Sequence, residues 1–168
     1  MTAEKTIPLD GVKAKEAEKC FKSGCNCCQA VVMAFAPELG LPEETLLRLS
    51  SSFGGGVGRM REICGAVSGM AIVLGLLRGY SDLQDKGLKA AHYDRMQGLC
   101  SRFLEANGSL RCGELLGEAQ GPKGPVPGDR TPQYYQERPC PRLVAQAAAL
   151  LEEELGRDEK NPAARGWG

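Results

Sequence analysis

The sequence predicts an all-α protein, a compact multi-helix domain of about five to seven helices around a central apolar helix rich in small residues. Three observations carry that expectation. Helix start and stop signals recur along the chain, and no run of alternating Val, Ile, Thr and aromatic residues marks a strand. The most apolar stretch, Ile63 to Leu77, is interrupted by Gly65, Ser68, Gly69 and Gly75, as in a helix packed closely against others.

Taken in order, Asp10 is placed to cap a first helix that turns Val12, Ala17, Cys20 and Phe21 inward and stops at Gly24. Asn26 caps a second, with Gln29 three residues on in capping-box position and Pro37 marking its end. Pro42 stands as the first residue of a third helix, which runs through Leu46, Leu47 and Leu49 towards Phe53. The loop Gly54-Gly55-Gly56-Val57-Gly58 then leads into the central helix, roughly Cys64 to Arg78. The longest helix follows, about Asp82 to Ala106, with Leu88, Ala91, Leu99, Phe103 and Leu104 in a helical stripe and Asn107-Gly108 closing it. A short helix spans Cys112 to Leu116, and residues 117–139 read as a Gly/Pro-rich loop. Pro141 opens a last helix through Leu143, Val144, Ala147 and Leu151. The expected organisation is one helical domain over 1–156 and a flexible tail over 157–168, with no internal repeat.

At 168 residues a single fold buries roughly two-thirds of the unfolded chain's surface, so disulfide staples are not needed for stability. Lys+Arg and Asp+Glu both number 21, which removes the electrostatic case for nucleic acid. Met1 to Lys22 is charged and lacks the apolar core of a signal peptide. The Ile63–Leu77 stretch is shorter than the ~20 residues of a membrane span. The expected location is therefore the reducing cytoplasm, where clustered cysteines more often serve metals or catalysis than structural disulfides.

The chain has eight cysteines, and four of them fall in the first turn of an expected helix: Cys27, Cys64, Cys112 and Cys140. Unpaired backbone N–H groups and the helix dipole favour negative charge there by ~0.3–1 kcal/mol, enough to move a thiol towards thiolate. Taken singly, each of the four has inert packing as an equally good reading. Cys20 and Cys100 sit mid-helix on apolar faces and read as packing residues. Cys25-Asn26-Cys27-Cys28 contains a C-x-x-C but lacks the preceding strand of a thioredoxin-like motif; Cys25 or Cys28 remains a candidate resolving thiol for Cys27. With His92 the only histidine, Cys₂His₂ zinc and the usual catalytic triads are poorly supplied.

The glycine loop fails the P-loop and dinucleotide fingerprints. Gly54, Gly55 and Gly56 still allow close backbone approach to a ligand, and Arg59 and Arg61 stand just before Cys64, where they can offset a thiolate or the charge of a cofactor. The competing reading is a surface loop with solvated arginines. Gly65 and Gly69, four apart, give the central helix a face on which a second helix can pack closely.

With these residues in view, the chain resembles the family of redox-active proteins named for a Cys…CGAxxG…Cys…Cys pattern. The matching segments are Asn26-Cys27-x-Gln29-Ala30-Val31, Phe53-Gly54-Gly55-Gly56 with Gly58-Arg59-Met60, Cys64-Gly65-Ala66-x-x-Gly69, Cys112 with Leu115-Leu116, and Cys140 with Leu143-Val144. The resemblance runs from about Cys20 to Leu151 and implies a small helical domain with a redox role for Cys27, Cys64, Cys112 and Cys140. Cys25 and Cys28 depart from the usual pattern, which has an aromatic and an alanine at those places.

Three functions follow as expectations. The first is a four-cysteine centre holding an iron–sulfur cluster, zinc or another thiophilic metal for electron transfer or redox sensing. Its cysteines are 37, 48 and 28 residues apart, without the close pair most such sites use. The second is metal-free thiol–disulfide chemistry, with Cys27 and Cys64 as one pair and Cys112 and Cys140 as the other. The third is an interaction module that forms a homodimer through the Gly65/Gly69 face. For the first two, the expected partner is a redox protein or a small-molecule electron carrier.

Overall fold

A computed structural model of the protein describes residues 6–160. These residues form nine α-helices: α1 (Val12–Lys22), α2 (Cys27–Ala34), α3 (Ala36–Leu39), α4 (Glu43–Ser50), α5 (Gly65–Arg78), α6 (Lys86–Asn107), α7 (Cys112–Leu116), α8 (Pro132–Glu137) and α9 (Cys140–Lys160). Short 3₁₀ turns follow α4 and α7. Extended pairing among the described residues is one isolated antiparallel bridge, Ile63 with Arg111. The all-α expectation holds, and the two helices beyond the expected seven are the short ones α3 and α8.

Several ends form as the sequence dictates. The Asn26 side chain accepts from the N–H of Gln29 at 2.9 Å while the Gln29 side chain accepts from the N–H of Asn26 at 3.0 Å, completing the capping box of α2. Asp85 caps α6 through the N–H of Leu88 at 2.9 Å, three residues later than the expected start, and Gly108 closes it with a left-handed φ of 77°. Elsewhere the ends differ from expectation. Gly11, not Asp10, occupies the N-cap of α1, which has no side-chain cap. Pro42 is the N-cap of α4 rather than its first residue. α2 stops at Ala34, and Pro37 lies in the first turn of α3, where its missing N–H costs nothing. The expected loop over 117–139 contains α8, started by the Thr131 hydroxyl accepting from Tyr134 N–H at 3.1 Å and by Pro132 at the first helical position. The last helix continues beyond Gly156 to Lys160, so the helical part outruns the expected boundary at 156; residues 161–168 lie outside the described residues.

α2 and α5 pack face to face at the centre, and α9 lies along α1 while touching α2, α5 and α6. Residues 143–148 of α9 are buried without a break. A helix contacted on several sides has no solvent face to reserve for polar residues, which accounts for its run of alanines and leucines. Phe21, Phe35, Phe103, Met70, Leu74, Leu99 and Leu151 fill the core. Each such side chain contributes roughly 1.5–3 kcal/mol on burial. No helix among the described residues is long and apolar enough to cross a membrane.

Candidate thiol site

The four helix-start cysteines come from distant parts of the chain. Cys27 is the first residue of α2, Cys64 the N-cap of α5, Cys112 the first residue of α7 and Cys140 the first of α9. Backbone hydrogen bonds tie the starts of α5 and α7 together: Cys64 N–H donates to Leu110 O at 2.8 Å, Cys112 N–H to Glu62 O at 2.6 Å and Gly113 N–H to Arg61 O at 3.1 Å. Glycines let the other segments close in. A Cβ on Gly65 would lie 3.0 Å from the Cβ of Cys27, and one on Gly56 would lie 2.6 Å from the Cβ of Cys112. Gly54 backs onto Asn26 in the same way, at 2.7 Å from its side-chain nitrogen.

The glycine loop has an unusual backbone. Gly55, Gly56, Val57, Gly58 and Arg59 all have left-handed φ, between 56° and 70°, and Arg61 follows at 65°. Non-glycine residues in that region cost on the order of 1 kcal/mol or more each, so Val57, Arg59 and Arg61 need other bonds to hold them. Those bonds are present: Gly58 N–H to Ser52 O at 2.8 Å, Arg59 N–H to Gly54 O, Arg61 N–H to Gly55 O and Glu62 N–H to Gly56 O, the last three at 3.0–3.1 Å. The result is that Arg61 reaches Cys112, its Nη1 lying 3.9 Å from Sγ while Nη2 donates to Gln120 O at 2.7 Å. Arg59 turns the other way and donates to the carbonyls of Gly124 and Pro122. Between this loop and residues 120–125 lies a cavity of about 630 Å³ with Arg59, Arg61 and Lys123 in its wall.

The four thiols act on one another. Cys140 raises the Cys27 thiol well above the usual value, and burial and the remaining cluster cysteines raise it further. Cys27 in turn lowers Cys140, against burial and with help from the Arg138 and Arg130 guanidinium charges. Burial pushes Cys64 up to about 12 even though the N–H groups of Ala66 and Val67 bond its sulfur. Burial also raises Cys112, opposed by Arg61. Helix-start N–H groups lower Cys64 and Cys140, as expected, but Cys27, Cys64 and Cys112 are raised all the same. At Cys64 and Cys112 a dipole contribution of ~0.3–1 kcal/mol loses to the desolvation of a buried thiolate, and at Cys27 the neighbouring Cys140 comes first.

The other cysteines divide differently from expectation. Cys28 is buried against α5 and pushed up to about 12, first by burial and then by Cys64. Cys100, half-buried in α6, is raised by burial. Cys20, expected as a packing residue, is joined to Cys25 by the backbone bond from Cys25 N–H to Cys20 O, and the Cys20 thiol lowers Cys25 to about 7, against burial and aided by Arg130. Sequence reasoning missed this contact, although Gly24 signalled the turn that makes it. The expected dimer face is also corrected: Gly65 and Gly69 are buried against α2, Gly69 beside Val31, and so are not available to a second chain. Among the described residues, no group of three or more His, Cys, Asp or Glu is arranged to hold a metal ion.

A family model described as "Putative redox-active protein (C_GCAxxG_C_C)" matches residues 25–154, well over half of the chain. The central motif is present as Cys64-Gly65-Ala66-Val67-Ser68-Gly69, with cysteine ahead of the first glycine where the family's name puts the glycine first. No curated protein and no solved structure matches.

Proposed function

Given that the chain belongs to the C_GCAxxG_C_C family of redox-active proteins, we propose that its cluster carries out thiol–disulfide exchange, with Cys140 as attacking thiolate and Cys27 as resolving thiol. The observation that carries this reading is the start of α2 and the start of α9 bringing Cys27 and Cys140 into mutual influence, Cys27 raised and Cys140 lowered beside Arg138 and Arg130. It pairs a protonated thiol with a stabilised thiolate, the arrangement exchange chemistry uses. Cys140 Sγ attacks one sulfur of a partner disulfide, whose S–S bond breaks to release the first partner thiolate. Cys27 then gives up its proton to the released partner thiolate and attacks Cys140 Sγ, releasing the second partner thiolate and leaving a Cys27–Cys140 disulfide. The partner gains two electrons and the cluster loses two. Tyr134 of α8 is raised chiefly by burial and to a lesser degree by both sulfurs. In place of the expected pairs Cys27–Cys64 and Cys112–Cys140, this reading makes Cys64 and Cys112 the second couple, supported by the backbone bonds that tie the starts of α5 and α7, and the disulfide can pass to it by the same exchange. The partner is a protein or small-molecule disulfide, and a reducing compartment such as the cytoplasm suits the regeneration of the thiols.

The test is limited oxidation of the anaerobically reduced chain by a small disulfide, followed by alkylation, digestion and peptide mapping. A Cys27–Cys140 link should appear first, and Cys140→Ser should leave Cys27 alkylatable. If Cys27 and Cys140 both remain free thiols under oxidant that consumes other cysteines, the reading fails.

The mutual influence of all four thiols favours a second reading, a four-thiolate metal centre. The donor chemistry fits: four soft sulfurs from Cys27, Cys64, Cys112 and Cys140, with Arg61 and Arg138 to offset their charge, suit an iron–sulfur cluster or zinc. The present spacing does not form a three-ligand group, so the sulfurs would have to draw together. An iron–sulfur cluster would supply one-electron transfer there, and Gly54, Gly55 and Gly56 with Arg59 and Arg61 would line its approach. Metal analysis and a UV–visible spectrum of anaerobically purified protein decide it. Iron or zinc that is lost in Cys64→Ser supports the centre, and colourless, metal-free protein removes it.

A further inference from the structure

We propose that Cys20 and Cys25 form a second, solvent-reachable dithiol that exchanges with low-molecular-weight disulfides independently of the four-cysteine cluster. The turn that ends α1 brings them together. Gly24, at φ 117°, follows the C-cap Ser23; Cys25 N–H donates to Cys20 O and Gly24 N–H to Phe21 O, both at 3.2 Å. This is the paired bonding of a Schellman closure, in which the side chain just after the glycine meets the one three residues before the helix cap. That contact is ordinarily apolar. Here both positions are cysteine, so the closure sets the two thiols side by side, and each acts on the other's charge.

Three further features set this couple apart. Cys20 and Cys25 are both partly exposed, whereas in the cluster only Cys27 is, with Cys64, Cys112 and Cys140 buried. The groups acting on Cys25 are Cys20 and Arg130, while those acting on Cys27 are the other cluster cysteines. Cys20 also precedes the family match, which begins at residue 25. Arg130 gives the couple a permanent cation: it donates to Phe21 O at 3.3 Å and to Cys25 O at 3.1 Å, with its guanidinium 4.6 Å from the Phe21 ring centre.

The chemistry is a two-step exchange with an aliphatic disulfide R–S–S–R. Cys25, as thiolate, attacks one sulfur and breaks the S–S bond, forming Cys25–S–S–R and releasing RS⁻. Cys20 loses its proton to water and attacks the Cys25 sulfur, forming the Cys20–Cys25 bond and releasing the second RS⁻. The dithiol is oxidised by two electrons, and the small disulfide is reduced to two thiols.

The full chain makes the test direct. After equilibration with oxidised glutathione and alkylation, trypsin cleavage at Lys19 and Lys22 isolates Cys20 in the peptide Cys20–Lys22 and leaves Cys25 in Ser23–Arg48 with Cys27 and Cys28. The two peptides should be disulfide-linked in the native chain, and the link should be lost in Cys25→Ser. It should persist in Cys27→Ser/Cys28→Ser, where Cys25 is the one thiol left in that peptide, so the result stands even if Cys25→Ser does not fold. It should also persist in Cys27→Ser/Cys140→Ser, which separates this proposal from the cluster chemistry above. A link that survives Cys25→Ser, or a Cys20 peptide that stays unlinked in the native chain, would overturn it.

Discussion

Replacing Gly69 by alanine tests the close contact of α5 with α2 on which the cluster rests. A methyl group there would lie 2.7 Å from the Cβ of Val31 and 3.1 Å from the carbonyl oxygen of Cys28. Val31 is fully buried, and its Cβ is fixed by its own helix backbone, so no rotamer change relieves the contact. The helices must separate, and overpacking of this kind costs about 1–3 kcal/mol. Opposing it, alanine is ~0.8–1.0 kcal/mol better than glycine inside a helix. Gly75, in the same helix, supplies the control, because a Cβ there meets nothing within 4 Å. Gly75→Ala should therefore gain the helical preference alone. Subtracting one variant from the other cancels that gain and leaves the steric cost, about 1–3 kcal/mol, or roughly 2–12 °C in melting temperature for a chain of this length. The assay is thermal unfolding followed by circular dichroism under reducing conditions. If Gly69→Ala melts at or above the temperature of Gly75→Ala, the account of the α2–α5 contact is wrong.

Other consequences are as accessible. The folded chain keeps the protons of Cys28 and Cys64, both pushed up to about 12 from an ordinary 9.0, while the unfolded chain releases them. Their stabilisation is thus full below about pH 9 and is lost as pH climbs from there towards 12, by up to about 1.4 kcal/mol per pH unit for each thiol. Urea midpoints at about pH 8 and about pH 10.5 should show this loss, and Cys28→Ala should flatten it; an unchanged slope counts against the assignment. Asn26→Ala removes the acceptor for Gln29 N–H and the donor to Ser51 O at 3.0 Å. It should cost about 1–2 kcal/mol and speed alkylation of Cys27, and a variant matching the parent in both would refute the role of the cap. Arg138→Gln removes a charge that lowers Cys140, so the pH–rate profile for alkylation of Cys140 should move to higher pH. A profile that stays put would show that Arg138 does not act on that thiol.

Local features of the fold were readable because local chemistry decides them. The capping box at Asn26 and the span of α7 follow from residues within one turn of each other. The start of α8 was equally local, since Thr131-Pro132 is a cap followed by a first-turn proline, but the surrounding density of Gly and Pro concealed it. The Cys20–Cys25 contact was implicit in a glycine stop followed by cysteine and was obscured by reading Cys20 only as part of an apolar face. The thiol charges could not be read at all from helix starts. Their order depends on how deeply each sulfur is packed and on which cation reaches it, as Arg61 does at Cys112, and those are properties of tertiary packing.

The bonds between Glu62, Cys64, Leu110 and Cys112 make the chain return to the point it left. Everything between those ties, the α5–α6 excursion with its exposed connection around residues 81–87, is closed at its base as a clipped loop. The spacing between Cys64 and Cys112 along the sequence therefore does not set their separation in space. Insertions or deletions in the connection from α5 to α6 should leave both cysteines where they are, because loop length adds only slowly to closure cost. A short interruption of the kind that would dismantle a site built from neighbouring residues can thus be absorbed here, and related chains can differ in length between these cysteines while sharing the same chemistry.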